Sequence, residues 1–178
     1  MDYTKIDKDL LNELLQKASQ SERHRYAYDL RNSEEDTSQR MLNTLLPDTV
    51  VPIHRHEDTS ETNICIKGRL DVIFYNQQPD GRFEEIQRVA LNPSQGFYGV
   101  QIPKGAWHTV EVHEPSVIFE GKDGAYASTS TSRASVTAVG ELVEPQQPLV
   151  DNPSTSTSIN SVTAQEPLIY SYIHPSGP

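Results

Sequence analysis

Residues 48–124 alternate between short runs of β-branched or aromatic residues and signals for tight turns. The runs are TVVPIHRH, TNICIKG, RLDVIFYNQ, FEEIQRVAL, GFYGVQIP, WHTVEVH and SVIFEGK. The turn signals between them are Lys67-Gly68, Pro79-Asp80-Gly81, Asn92-Pro93, Lys104-Gly105 and Glu114-Pro115. Many short strands joined by tight turns, without helical periodicity between them, predict an antiparallel β-sandwich or β-barrel.

A single amphipathic helix is predicted ahead of these strands. In IDKDLLNELLQKASQ, the apolar positions that recur at helical spacing are Ile6, Leu10, Leu11, Leu14, Leu15 and Ala18. Asp7 is the expected N-cap, because its carboxylate can accept from free N–H groups of the first turn. The segment QRMLNTLL is compatible with a helix or a strand and ends at the Pro47-Asp48 turn. Residues 1–47 are therefore expected to pack on the barrel as a helix and a lead-in segment.

The last part of the chain, residues 125–178, is rich in Ser, Thr and Pro. It contains a near repeat, STSTSRASVTA at 128–138 and STSTSINSVTA at 154–164. Two copies with few large apolar groups cannot bury a shared face, so a disordered low-complexity tail is predicted. The small apolar clusters GELVEP and PLIYSYI are candidates for docking on the barrel or on a partner.

Composition excludes several classes of partner. The formal net charge of the 178-residue chain is -10, so neither nucleic acid nor an anionic membrane is expected as a partner. The N-terminal sequence shows no signal peptide, and no apolar run approaches the length of a membrane span. Cys65 is the one cysteine, so an intramolecular disulfide cannot form. These features predict a cytoplasmic protein.

Two histidines one residue apart suggest a metal site. Side chains alternate faces along a strand, so His54 and His56 should project together while Arg55 points to the other side. An HxH pair alone is a weak signal, because most such pairs on surface strands bind nothing. Glu61 can bring a carboxylate to the same ion, and His108 follows the turn in QIPKGAWHT as a fourth candidate ligand. The histidines without such a setting are His24, His113 and His174.

The run HRHEDTSETNICIKG resembles the first cupin motif, HxH followed by Glu after four residues and by Gly after six more. The run PKGAWH resembles the second motif, PxGxxH, and the match covers residues 45–122. The sequence departs from the cupin pattern at Asp48, which replaces a glycine, and at Val112, which replaces an asparagine. The second motif is expected to begin with a glycine at position 97, but that residue is Phe97, and the glycine is Gly96, one place earlier. None of these departures removes a ligand.

This resemblance implies a cupin fold, a double-stranded β-helix or jelly-roll barrel over 48–124, with the helix before it and the tail after it. It implies His54, His56, Glu61 and His108 as ligands of one divalent transition-metal ion. A mixed nitrogen and oxygen set suits Fe, Mn, Zn, Ni or Co, and the sequence does not choose among them. Cupin barrels frequently pair through sheet edges, so a homodimer is also implied.

Residues 1–124 are more narrowly similar to WbuC-type cupin-fold metalloproteins, through SERHRYAYDLRNSEED, QRMLNTLLPDT and HRHEDTSET. Members of that group often lie among genes for polysaccharide or O-antigen biosynthesis. The resemblance implies a small-molecule ligand such as a sugar or sugar phosphate. One hypothesis is an enzyme, a metal-dependent isomerase, epimerase or oxygenase that uses the ion as a Lewis acid. The alternatives are a non-catalytic sugar-binding or small-ligand module, and an interaction protein with a structural metal.

Four further residues are candidates for substrate binding. Arg23 and Arg25 can hold an anionic group by bidentate contacts if the N-terminal segment covers the barrel mouth. Surface solvation, or pairing with nearby carboxylates, is the competing interpretation for both arginines. Tyr98 and Trp107 are the other two candidates, for which a place in the barrel core is the alternative. Cys65 shares the face of Glu61 by strand alternation and is expected to be a small core residue.

Overall fold

The computed structural model describes Met1, residues 3–124 and the backbone of residues 131–134. Within these residues, one α-helix precedes eight antiparallel strands. The elements are α1 (Lys8–Gln20), β1 (Arg25–Asp29), β2 (Ser38–Leu45), β3 (Ile53–His56), β4 (Glu61–Gln77), β5 (Phe83–Leu91), a 3-10 helix (Pro93–Gln95), β6 (Gly99–Ile102), β7 (Trp107–Asp123) and β8 (Thr131–Ala134). The segment QRMLNTLL, which was compatible with helix or strand, lies in β2 except for its last residue, Leu46.

Helix α1 begins at the predicted cap. The carboxylate of Asp7 accepts from the backbone N–H groups of Asp9 and Leu10, at 3.1 and 3.2 Å. These bonds satisfy two of the N–H groups that have no partner within the helix. The helix ends at Gln20, and the N–H of the following C-cap residue, Ser21, donates to the carbonyl of Ala18.

The apolar stripe of α1 packs on the outer face of the sheet. Leu11, Leu14 and Ala18 are buried, and the first two share a cluster with Leu42 of β2 and Val117 of β7. Burial of such side chains is worth about 1.5–3 kcal/mol each. The helix therefore covers one side of β2 and β7, and the barrel interior lies on their other side.

Truncating the centre of this stripe should destabilise the domain. Leu14 is fully buried, so we expect Leu14→Ala to lower the free energy of unfolding by about 2–5 kcal/mol. Urea unfolding followed by far-UV circular dichroism measures the loss. Ile6, which is 46% exposed, provides the control, since Ile6→Ala should change the free energy by less than about 0.5 kcal/mol. Equal effects of the two substitutions would contradict the packing described here.

Strands β4 and β7 form one long antiparallel ribbon, which corrects two predicted turns. The sequence predicted that Lys67-Gly68 and Glu114-Pro115 would end strands, but each dipeptide lies inside a 17-residue strand. The pairing instead shifts register between Cys65 and Leu70, as at β-bulges. Bulges bend a ribbon without reversing the chain, so the glycine and the proline mark a bend and not a turn.

The remaining strands are arranged on both edges of this ribbon. Strand β7 also pairs with β2, which pairs with β1, while the other edge of β4 pairs with β6 and β5. Strand β3 joins β7 through the pair His54 and His108. The sheet curls around an apolar core contributed by five strands, with the buried members Leu45, Cys65, Leu70, Val72, Leu91, Ile102, Val112 and Ile118. The antiparallel strands, the curled sheet and the meeting of the two motif segments confirm the predicted all-β cupin class with an N-terminal helix.

Strand β8 pairs with β3 over four residues, from the pair Ile53 and Ala134 to the pair His56 and Thr131. These four residues fall within 125–178, and the disordered tail predicted for that segment stays a prediction. The edge of β3 offers N–H and C=O groups with which an extended segment can pair. The second copy of the near repeat, GELVEP and PLIYSYI lie outside the described residues. No helix in the described part of the chain is long and apolar enough to span a membrane.

Candidate metal centre

The structure brings the four predicted ligands together. Strand β3 supplies His54 and His56, β4 begins with Glu61, and His108 is the second residue of β7. One potential ligand atom from each residue lies within 4.8 Å of all the others. The imidazole centroid of His54 is 4.3 Å from that of His108 and 5.3 Å from that of His56. Residues separated by more than 50 positions therefore form one compact cluster.

Backbone carbonyls fix the orientation of two imidazoles. Nδ1 of His54 is 2.9 Å from the carbonyl of Pro52, and Nδ1 of His108 is 2.9 Å from the carbonyl of Ala106. A carbonyl can only accept, so each Nδ1 carries the proton and donates it. Each Nε2 then keeps its lone pair, which is the form that binds a metal. The Ala106 carbonyl is held in place by the tight turn before β7, in which the N–H of Ala106 donates to the carbonyl of Pro103.

Glu61 is held by two neighbours. One carboxylate oxygen lies 2.6 Å from Nε2 of His56, and the other accepts from the side-chain amide of Asn63 at 2.8 Å. On the far side of the same imidazole, Nζ of Lys122 is 3.2 Å from Nδ1 of His56. Asn63 and Lys122 were not predicted from the sequence. Asn63 lies two residues after Glu61 on the same strand, so strand alternation could have indicated that it shares the face of Glu61. Lys122 has no such local signal, since it reaches the cluster only through the curl of β7.

Burial gives the cluster its charge state. Burial, reinforced by the nearby His108, lowers the pKa of His54 to about 3. Burial also lowers the pKa of His108. Burial alone would raise the pKa of Glu61, but the hydrogen bond with His56 opposes it and the pKa is lowered. At neutral pH, two neutral imidazoles therefore face an ionised carboxylate, as a divalent cation requires.

A buried nitrogen provides a test of whether a metal fits. Nε2 of His108 has no hydrogen-bond partner among the described residues, and the residue is 2% exposed. Leaving such a polar atom unsatisfied costs about 1–3 kcal/mol, which bonding to a cation would remove. Imidazole nitrogens with one carboxylate suit Fe, Mn, Co, Ni or Zn. The residues present therefore fit a divalent transition metal.

The aromatic candidates lie elsewhere. The Trp107 ring packs against the Arg55 guanidinium, whose carbon is 4.6 Å from the ring centroid, and Arg55 also pairs with Glu57. Strand alternation predicted this separation of Arg55 from the histidines. The side chain of Tyr98 is 62% exposed, so it is not in the barrel core. Neither aromatic residue joins the four-residue cluster, and substrate binding by them stays a prediction.

The two arginines flank the start of β1. The guanidinium of Arg25 donates to the carbonyl of Val50 at 2.8 Å, and the carbonyl of Arg23 accepts from the hydroxyl of Thr49 at 2.8 Å. Both residues thus connect β1 to the segment that leads into β3. Their role in holding an anionic ligand stays a prediction.

Cys65 is a core residue, as expected. It is 2% exposed, and its thiol donates to the carbonyl of Lys67 at 3.4 Å. Burial raises the pKa of this thiol to about 11, so the reactive thiolate is suppressed at neutral pH.

Removing the amide that holds Glu61 should weaken metal binding. We expect Asn63→Leu to lower the affinity for a divalent ion by about 10–100-fold, because the carboxylate loses its orienting hydrogen bond. Competition with a chromophoric chelator measures the affinity. Asn76 lies on the same strand with an exposed side chain, so Asn76→Leu is the matched control. If both variants bound metal as the wild type does, the Asn63 contact would have no part in the site.

Comparison with known proteins gives a family match and distant structural similarities. A model of a family described as a domain of unknown function (DUF6016) matches residues 6–88. None of the curated proteins matches the chain. One similar solved structure is the QdtA 3,4-ketoisomerase from Thermoanaerobacterium thermosaccharolyticum in complex with TDP. It has 23% identity and a TM-score of 0.43, and the match covers 53% of this chain and 64% of that one.

Two other solved structures show similar levels of likeness. A dTDP sugar isomerase from Desulfovibrio desulfuricans G20 has 18% identity and a TM-score of 0.47, with 62% of this chain and 74% of that one covered. The capsular polysaccharide assembling protein CapF from Staphylococcus aureus has 18% identity and a TM-score of 0.46. That match covers 57% of this chain but 27% of CapF. The chain thus spans less than two thirds of the QdtA enzyme and about a quarter of CapF.

Proposed function

We propose that this protein binds one divalent transition-metal ion through His54, His56, Glu61 and His108 and uses it on a small polar ligand. The observation that carries the proposal is the convergence of four ligand atoms within 4.8 Å. The buried, unsatisfied Nε2 of His108 supports it independently, because it is the ligand atom that the tautomer leaves available.

The four protein residues favour a metal site that a small molecule can also reach. A divalent ion held here would supply Lewis acidity, which polarises a carbonyl or hydroxyl oxygen. Four protein ligands leave positions open when the ion is five- or six-coordinate. The protein's own contribution is to fix the tautomers of His54 and His108 through backbone carbonyls and to orient Glu61 through Asn63. This arrangement supports a metal-dependent isomerase, epimerase or oxygenase.

The finer assignment rests on the sequence resemblance. The WbuC-type likeness suggests a sugar ligand and a role in polysaccharide biosynthesis, and both belong to this proposal. Location in the cytoplasm and assembly into a homodimer stay predictions from the sequence.

Cobalt(II) substitution tests whether the site is open. We expect the metal-free protein to take up about one Co(II) per chain and to give the weak visible absorption of a five- or six-coordinate ion. Adding azide should then change the spectrum, because an open position admits a small anion. The strong absorption of tetrahedral Co(II), unchanged by azide, would instead show a closed structural site. Failure to bind Co(II) at all would refute the metal centre.

A further inference from the structure

One imidazole of the metal centre differs from the other two in what its Nδ1 atom faces. Nδ1 of His54 and Nδ1 of His108 each face a backbone carbonyl, which can only accept. Nδ1 of His56 instead lies 3.2 Å from Nζ of Lys122. A lysine ammonium has three donors and no acceptor. The hydrogen bond therefore runs from Lys122 to His56, and Nδ1 of His56 supplies the lone pair.

Strand pairing holds Lys122 at this position. The residue lies directly opposite Glu61 where β4 pairs with β7, so the two side chains project from the same face of the sheet. The ring of His56 lies between them, with Nδ1 towards the Lys122 ammonium and Nε2 at 2.6 Å from a carboxylate oxygen of Glu61. The imidazole is thus placed between a donor on one side and an acceptor on the other.

These two neighbours assign the ring proton of His56. Since Nδ1 accepts from Lys122, a neutral ring carries its proton on Nε2. That nitrogen faces the Glu61 carboxylate, and a separation of 2.6 Å requires a proton between two atoms that would otherwise repel through their lone pairs. His56 therefore has the tautomer opposite to that of His54 and His108, whose Nδ1 atoms carry the proton.

A cation would meet the three rings in different states. Metal-ligating histidines almost always donate their other ring N–H to an acceptor, as His54 and His108 do. His56 can offer Nε2 to an ion only after its proton moves to Nδ1, where the proton faces the Lys122 ammonium and not an acceptor. The hydrogen bond between Lys122 and His56 would be lost at that point, and this loss opposes binding through His56.

We propose that Lys122 is a positioning residue that makes His56 the weakest and most readily exchanged of the four protein ligands. It acts by stabilising the tautomer of His56 that donates to Glu61 and cannot bind an ion. The proposal rests on the proposed metal centre, and it specifies which protein ligand gives way when a small molecule approaches the ion. It also fixes a direction: removing Lys122 should strengthen metal binding, whereas damage to the fold would weaken it.

A double-mutant cycle between Lys122 and His56 tests the proposal on the full chain. Competition with a chromophoric chelator gives the Co(II) affinity of the wild type, Lys122→Met, His56→Ala and the double variant. Removing the lysine also removes a positive charge near the ion, which favours a cation whether or not His56 is present. The effect through the tautomer requires His56, so the cycle separates the two causes. Lys67→Met is the control for loss of a lysine from an exposed contact, that with Asn12.

We expect Lys122→Met to raise the Co(II) affinity by about tenfold when His56 is present, because a hydrogen bond to a charged group no longer opposes binding. In the His56→Ala background, this gain should be smaller by about threefold or more. Lys122→Gln, whose side-chain oxygen can accept from Nδ1, should bind Co(II) at least as tightly as Lys122→Met. Lys67→Met should bind as the wild type does. Equal gains in both backgrounds, or weaker binding by both Lys122 variants, would overturn the proposal.

Nuclear magnetic resonance of the metal-free wild type tests the tautomer directly. Two-bond proton–nitrogen correlation spectra of the rings show which nitrogen carries the proton. We expect Nε2 for His56 and Nδ1 for His54 and His108, and a proton on Nδ1 of His56 would overturn the role of Lys122 even if Co(II) binds. Wild-type protein that takes up no Co(II) would refute the metal centre and with it the order of its ligands, so the two failures are distinguishable.

Discussion

Replacing His108 by alanine should leave the protein almost free of metal. Wild-type protein purified without chelators is expected to carry about one divalent ion per chain. His108 supplies an imidazole whose Nε2 is buried, deprotonated and aimed into the cluster. Removing a hydrogen-bond partner of a metal-ligating residue typically lowers metal affinity by about 10–100-fold, so removing the ligating imidazole itself should lower it by about 100-fold or more. Metal analysis after gel filtration measures the content, and His54→Ala should behave in the same way.

The matched control for this experiment is another histidine of β7. His113 is on the same strand but pairs with Asp71 away from the cluster. His113→Ala should therefore keep the wild-type metal content. Equal metal content in wild type, His54→Ala and His108→Ala would rule out the assigned site. Loss of metal from all three variants would mean that the substitutions act through general destabilisation, which melting temperatures would reveal.

The sequence could predict the convergence of the four candidate ligands because the signals are motifs of fixed spacing. His54 and His56 are two residues apart on a strand, so alternation alone places them side by side. Glu61 and His108 follow from the motif spacing, and the structure brings all four residues together. Arg55 was assigned to the opposite face by the same alternation, and it packs on Trp107 there.

The buried pair of Asn63 and Glu120 could not be predicted in this way, because the two residues come together only through strand register. Glu120 and Asn63 are far apart in sequence and become neighbours when β4 pairs with β7. In the sequence, Glu120 sits in SVIFEGK as an ordinary polar residue at the end of an apolar run. Nothing local shows that it points inward, since a shift of one residue in register would turn it outward.

The turn signals were correct only where the chain reverses. Pro79-Asp80-Gly81 forms the expected turn, with Gly81 N–H donating to the carbonyl of Gln78 at 2.9 Å. At Gly68 the same residue type serves a bulge instead, with a positive φ of 92°. Glycine permits both structures, so composition alone could not separate a turn from a bend.

This bend is what brings the four candidate ligands together. His108 and Lys122 are fourteen positions apart in β7, which in a straight strand would separate them by roughly 45 Å. In the structure, however, both lie beside His56, with the His108 ring centroid at 5.8 Å from that of His56 and the Lys122 ammonium at 3.2 Å from its Nδ1. The bulged stretch around Gly68 and Pro115 therefore bends the β4–β7 ribbon enough to bring its two ends together at His56.

Adding a methyl group at Gly68 should consequently damage both stability and metal binding. A Cβ there would lie 2.3 Å from the Ser116 hydroxyl oxygen and 2.5 Å from the Pro115 carbonyl oxygen. The second contact is with backbone, which cannot rotate away. We expect Gly68→Ala to lower the free energy of unfolding by about 3 kcal/mol or more. Urea unfolding measures this loss, and chelator competition measures the accompanying fall in metal affinity.

Gly68→Ala combines two costs, an unfavourable left-handed backbone conformation and a steric clash, and Gly96 separates them. The φ of Gly96, 86°, is nearly the same as that of Gly68, and a Cβ at Gly96 would meet nothing within 4 Å. Gly96→Ala should therefore show only the cost of a left-handed conformation, about 1–2 kcal/mol, and should leave metal affinity unchanged. The difference between the two variants measures the close approach of β4 to β7 at the bend. If Gly68→Ala were no worse than Gly96→Ala in stability and metal affinity, the ribbon could bend without this close contact, and the bend would have to depend on Pro115 instead.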